Sequence, residues 1–172
     1  MNFTQINQRF LALQQQYPKL ASWSIKLDRA RRRAGACYVQ RKMISISAHH
    51  IELNSEATII DTLLHEVAHA LAYEHDRITG HGPLWRKWVK RLGGQPEVTG
   101  RFKVPDAPWM LVHLEGEELR PIAPRHRRNR SIKHFMMRGR PDTRGQLFYV
   151  DQVEFKRWHH GELSLTDVTL IQ

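Results

Sequence analysis

The sequence predicts an α+β protein. Apolar residues recur at three- and four-residue steps in separate stretches, as helices require. Short alternating or β-branched stretches, as strands require, gather before residue 48 and again beyond residue 108. A chain of 172 residues with 41% hydrophobic content can bury a real core, as one domain or as one domain with a small appendage.

Residues 2–16 read as a helix, because Phe3, Ile6, Phe10 and Leu13 share one face and Pro18 follows the end. "WSIKL" (23–27), "ACYVQ" (36–40) and "MISIS" (43–47) read as strands of one sheet, the second opening just after Gly35. Arg29, Arg31, Arg32 and Arg33 then fall on or near a strand connection. Asn54 or Ser55 can cap a second helix, with Glu56 in its first turn and an end near Glu74. Ile59, Ile60, Leu63, Leu64, Val67, Ala68 and Leu71 make it apolar over most of its circumference, as in a helix inside a core. "TGHG" breaks it. A third helix is expected from Pro83 to Gly93-Gly94, burying Leu84, Trp85, Trp88, Val89 and Leu92 and leaving Arg86, Lys87, Lys90 and Arg91 outside. Pro96, Pro105 and Pro108 mark residues 95–108 as a connector. Beyond it, "WMLVHLEG" and "GQLFYVDQVEF" read as strands on either side of a basic segment. Two domains follow, 1–104 and 105–172, with no internal repeat and no low-complexity tract.

Composition excludes several classes. A single cysteine, Cys37, allows no internal disulfide and no cysteine-rich zinc module; it reads as a small buried residue. No window approaches 18 apolar residues, and the N-terminus lacks a basic region followed by an apolar run. The expectation is a cytoplasmic protein with no membrane partner, nucleoid-associated if the chain is prokaryotic. Nothing specifies an oligomeric state. The net charge of +10 is uneven: residues 120–144 carry eight arginines and one lysine against one acidic residue. Such a run fits a polyanion, so Arg125, Arg127, Arg128, Arg130, Lys133, Arg138 and Arg140 are candidate nucleic-acid contacts and DNA the candidate partner.

The chemistry lies in "LLHEVAHALAYEHDRITGHGPLW" (63–85). His65 and His69 stand at i and i+4 of the expected helix, about 40° apart in angle and about 6 Å in rise, so both can reach one ion. Glu66 lies roughly 100° round from His65. From there its carboxylate can take a proton from water beside a metal and hand it to a departing amine, which peptide hydrolysis requires. A zinc ion working this way needs a third protein ligand and one open position. His75 sits six residues after His69, a spacing that serves where a glycine three residues after the second histidine bends the chain; here that position is Ala72. His81 sits past the helix end in Gly80-His81-Gly82, where glycines let the backbone turn back, and is favoured. Glu97 is a remote carboxylate candidate without a supporting local motif.

"HEVAHALAYEHDRITGHGPLWRKW" resembles the SprT-like metalloprotease family, which includes the Spartan-type DNA–protein crosslink proteases. The likeness covers roughly residues 1–95 and is most specific over 63–88. The family has the same His-Glu-x-x-His helix, a Gly-His-Gly turn, and an aromatic-rich helix matched here by Trp85 and Trp88. The resemblance implies a zincin-like metalloprotease core, His65, His69 and His81 as Zn2+ ligands, Glu66 as catalytic base, and a protein substrate attached to DNA. Many members continue into a zinc ribbon with two cysteine pairs. This chain keeps strand-like stretches around "RHRRNR" but no such cysteines, so 105–172 reads as a degenerate, mainly β, basic extension. His113, His126 and His134 are candidates for a second metal, though their spacing does not demand one. The rival reading is a non-enzymatic nucleic-acid-binding protein with a structural zinc site; a zinc hydrolase of small molecules is a third.

Overall fold

In the computed structural model, which describes residues 1–97 and 101–172, helix α1 (Phe3–Gln16) begins where Asn2 can cap it. The Asn2 side chain accepts from the Gln5 amide and the Gln5 side chain accepts from the Asn2 amide, a reciprocal box that satisfies two donors. Ile6 and Phe10 face inward and are almost wholly buried. Strands β1 (Ser24–Asp28), β2 (Gly35–Tyr38) and β3 (Met43–Ser47) form a sheet in the order β1-β3-β2. β1 is parallel to β3 and β2 is antiparallel to it. The strand expected over 36–40 is shorter than its apolar run, because residues 39–41 turn as a 3-10 helix into Lys42 at φ 46°.

Ser47 accepts from the His50 amide and starts a helix that hydrophobic periodicity alone does not reveal, α2 (Ala48–Leu53). Of the two candidate caps for the long helix, Ser55 is the one used: its hydroxyl accepts from the Thr58 amide at 3.3 Å. Helix α3 (Glu56–Asp76) then runs 21 residues, two past the expected end, until Arg77 adopts a left-handed conformation at φ 55°. Its buried residues lie on several faces, from Ile59 and Leu63 through Val67 and Ala68 to Ala70, Leu71 and Ala72. One cluster joins α3 to α1 and the sheet through Ile6, Phe10, Trp23, Ile44 and Ile46; another joins Ala68 and Ala72 to Trp85 and Val89 of α4 (Pro83–Leu92). Leu84, expected in the stripe of α4, is 41% exposed. It lies roughly 90° round from the Trp85–Val89–Leu92 line at 100° per residue, which places it on the rim.

These elements make one compact unit, Met1–Pro105; Asp106–Gln172 make a second. Of the connector expected over 95–108, residues 98–100 lie outside the described residues. The second unit is an antiparallel sheet in the order β5-β4-β6, with β4 (Trp109–Glu115), β5 (Glu118–Arg125) and β6 (Leu147–Asp151). β5 is a strand despite Pro121 and Pro124, which an edge strand tolerates and a central one does not. The stretch expected as one strand over 145–155 divides at Asp151. That side chain accepts from the amides of Val153 and Glu154 and starts helix α5 (Gln152–His159). Val112, Leu119, Val150, Phe155 and Val168 close the core of this unit. Among the described residues the chain is therefore α+β with two small sheets and five helices, none of them long and apolar enough to cross a membrane.

Gly35 brings the sheet close against α3. A Cβ there would stand 3.0 Å from Glu66 Cγ, 3.0 Å from the Ser45 carbonyl oxygen and 3.1 Å from Thr62 Cγ2. Gly35→Ala is expected to cost about 1–3 kcal/mol through overpacking, read as a lower urea midpoint at unchanged m. An unchanged midpoint would contradict so close an approach.

Candidate metal centre

α3 presents His65 and His69 one turn apart, their ring centroids 5.1 Å from each other. Beyond its end the chain doubles back through Gly80 at φ +88°, a conformation that suits glycine. Gly82 is then extended at the N-cap of α4, with Pro83 as the first helical residue. The histidine held between these glycines returns to α3: His81 Nε2 lies 3.0 Å from His65 Nε2 and 3.1 Å from His69 Nε2. Trp85, fully buried, backs all three rings at centroid distances of 4.7, 5.3 and 4.5 Å. Its indole N–H points to the His65 carbonyl oxygen at 3.4 Å.

Burial, with His81 adding to it, holds His65 down at about 4. Burial together with His65 and His81 holds His69 at about 3, and burial with Arg86 lowers His81. The three imidazoles are thus neutral near pH 7, with lone pairs free to bind a cation. Each neutral imidazole has a single N–H, so His81 Nε2 can make a full hydrogen bond with only one of its two neighbours and leaves the other unsatisfied. A tetrahedral ion with bonds of about 2.0–2.1 Å needs nitrogens about 3.3–3.4 Å apart, so the two pairs made by His81 stand within about 0.4 Å of zinc donor spacing, and all three donors lie within 4.8 Å of one another. Among the described residues no other cluster of His, Cys, Asp or Glu could hold an ion.

Glu66 points toward β2 and is 8% exposed. No described residue hydrogen-bonds or ion-pairs with its carboxylate, and burial lifts it to about 7 against the opposing charge of Arg33. A buried carboxylate left without a partner is costly, and such groups gather at functional sites. Two cavities meet here. One, of about 300 Å³, is lined by Gly35, Ala36, Cys37 and Val39 together with His65, Glu66, His69 and His81. The other, of about 700 Å³, adds Arg32, Arg33, Arg101 and Phe102 to His65, Glu66 and His81.

The remaining candidates lie elsewhere. His75 is exposed at the end of α3, its ring 4.8 Å from Trp88, outside the triad. Glu97 lines the larger cavity but is not among the converging donors. His113 is buried in β4 against Gln146 Oε1 at 2.9 Å, and neither it, His126 nor His134 belongs to a metal-competent group. Of the basic candidates, Arg125, Arg127, Arg130, Lys133 and Arg138 are exposed and form no ion pair among the described residues. Arg128 lies over the Trp109 ring at 4.6 Å. Arg140 is already engaged, donating to Asp142 at 2.7–3.1 Å and standing 3.9 Å from Glu115. Sequence reasoning assigns no site role to Gly35 or Asn54, and considers Arg33 only with Arg29, Arg31 and Arg32 as the next nucleic-acid candidates after the 120–144 run. The Asn54 side chain binds both backbone groups of Lys103 and so fixes the wall that carries Phe102. For Gly35 the signal was present, a glycine opening a strand.

A family model described as SprT-like family matches residues 2–105. No individual curated protein matches the chain.

The convergence yields a direct expectation. His81→Ala should weaken zinc retention in dialysis at least tenfold, whereas His75→Ala should leave it within about twofold. The reverse ranking would move the third ligand to His75.

Proposed function

The chain belongs to the SprT-like family, and from that membership together with its three converging histidines we propose a zinc-dependent metallopeptidase associated with DNA, acting on proteins bound or crosslinked to it. In this reading residues 1–104 are a zincin-like peptidase domain. Residues 105–172 take the place of a zinc ribbon, with the packed core of Val112, Leu119, Val150 and Phe155 standing in for the missing metal. The setting proposed is the cytoplasm. The observation that carries the peptidase reading is the unpaired, buried Glu66 beside the triad. A site serving structure alone has no use for such a group, which disfavours the non-enzymatic alternative.

His65, His69 and His81 would hold the zinc, which when bound supplies Lewis-acid polarisation of water and of the scissile carbonyl. Glu66 supplies the base. Its carboxylate takes one proton from the attacking water as the oxygen joins the carbonyl carbon, then delivers it to the leaving nitrogen as the C–N bond breaks. β2 pairs with β3 alone among the described residues, so its outer edge can hydrogen-bond an extended substrate backbone. Gly35, at the start of that edge, lets the chain run close over Glu66. The basic segment of the second unit supplies the proposed hold on DNA, with Arg125, Arg127, Arg128, Arg130, Lys133 and Arg138 in the leading part and Arg140 in a secondary one because of its carboxylate partners.

Two outcomes are expected. Glu66→Gln keeps the shape and removes the base, so zinc content should hold while cleavage of a protein substrate falls about 10²-fold or more. Undiminished cleavage by that variant would show that another group, or another protein, does the work. Replacing Arg125, Arg127, Arg128 and Arg130 together by Gln should weaken DNA binding across sequences and flatten its salt dependence, since phosphate contacts carry little base information. An unchanged affinity and salt slope would make the run a solvated surface.

A further inference from the structure

Division of the chain by structure changes where its charge lies. Met1–Pro105 carries 16 Lys and Arg against 8 Asp and Glu, whereas Asp106–Gln172 carries 11 against 9. Most of the excess therefore belongs to the unit that holds the metal centre. Within that unit Arg9, Arg33 and Lys42 are ion-paired to carboxylates. Among the described residues Arg86, Lys87, Lys90 and Arg91 are not: all four are exposed, and α4 contains no acidic residue.

At 100° per residue these four cations span roughly 140° of the face opposite Trp85 and Val89, in two rows of i,i+4 pairs about 6 Å apart along the axis. Each like-charged pair destabilises an isolated helix. The dipole of α4 favours cations in its last turn, where Lys90 and Arg91 stand, but gives Arg86 and Lys87 no such gain. A face that only had to be soluble would gain by interleaving acids, so the pattern is set against local stability. Two of the four are also preorganised. Arg91 lies over the Trp88 ring at 5.2 Å and the Tyr17 ring at 6.0 Å, and Arg86 Nε donates to the carbonyl oxygen of His81 at 3.4 Å.

We propose that the outer face of α4 is a second nucleic-acid-binding site, taking backbone phosphates of DNA beside the metal centre. The inference rests on the reading of this protein as DNA-associated and adds a contact inside the peptidase unit itself. Because Arg86 is bonded to the backbone of His81, the fold fixes this face relative to the site. DNA held here passes the metal centre at a set distance, which suits a protein substrate attached to that DNA. The contact is to phosphates and therefore carries no base preference.

The test is the salt dependence of binding by the full chain to a duplex oligonucleotide. Lys87→Gln/Lys90→Gln removes two exposed charges, and its thermal midpoint serves as a check on folding. If both lysines meet phosphates, the slope of log K against log salt should fall in magnitude by about 1.8, so that the affinity lost between 50 and 200 mM salt shrinks about 12-fold. Lys87→Arg/Lys90→Arg should restore the slope. The α4 change should add to that of the Arg125, Arg127, Arg128 and Arg130 variant. A wild-type chain that binds with the same slope as the folded Gln variant would overturn the α4 site alone. A wild-type chain without salt-dependent binding would overturn the DNA association with it.

Discussion

The structure depends on one constraint: α3 must be buried on several sides and still expose one narrow face to the site. A helix enclosed by α1, the sheet and α4 cannot rotate or bend, so His65 and His69 stay in fixed register. The third imidazole comes from outside the helix, and its position is fixed twice. Gly80 and Gly82 shape the return, and Trp85, anchored in the α3–α4 interface, backs all three rings. The short spacing between His81 and Trp85 ties the turn to the packing. Loss of α4 packing would therefore be felt at the donors before it was felt elsewhere.

The same burial sets the electrostatics. It opposes protonation of the imidazoles, which leaves them neutral donors, and it opposes ionisation of Glu66, which lacks a hydrogen-bonding partner among the described residues. Both leave polar atoms short of partners when no cation is present: His81 Nε2 can serve only one of its two neighbours, and the Glu66 carboxylate has no partner among the described residues. A divalent cation would relieve both at once. A cation bound there would add to the stability of the unit by mass action.

Legibility in the sequence followed the range of the interactions. The i,i+4 histidines, the Gly-His-Gly turn and the termination of α4 are set by residues within a few positions and could be read from the chain, while the cap of α3 was narrowed only to Asn54 or Ser55. α2 was not legible, because a six-residue helix shows too little periodicity. β5 was hidden by Pro121 and Pro124, whose tolerance depends on the strand lying at a sheet edge. The switch from β6 to α5 turned on one cap, Asp151, inside a continuous apolar run. At the site, the close approach of Gly35 to Glu66, the backing by Trp85 and the clamp of Asn54 on Lys103 join residues far apart in sequence. The engagement of Arg140 by Glu115 similarly required the fold of the second unit. A run of charge in sequence therefore overstated the charge available in space.

The most direct measurement of the central claim is X-ray absorption at the zinc edge of the metal-loaded protein. Three imidazole nitrogens at about 2.0–2.1 Å, with the remaining coordination completed by oxygen, are expected for a site built by His65, His69 and His81. A sulfur neighbour at about 2.3 Å would bring in Cys37, which lines the same cavity, and would contradict the account. So would a shell with fewer than three imidazoles.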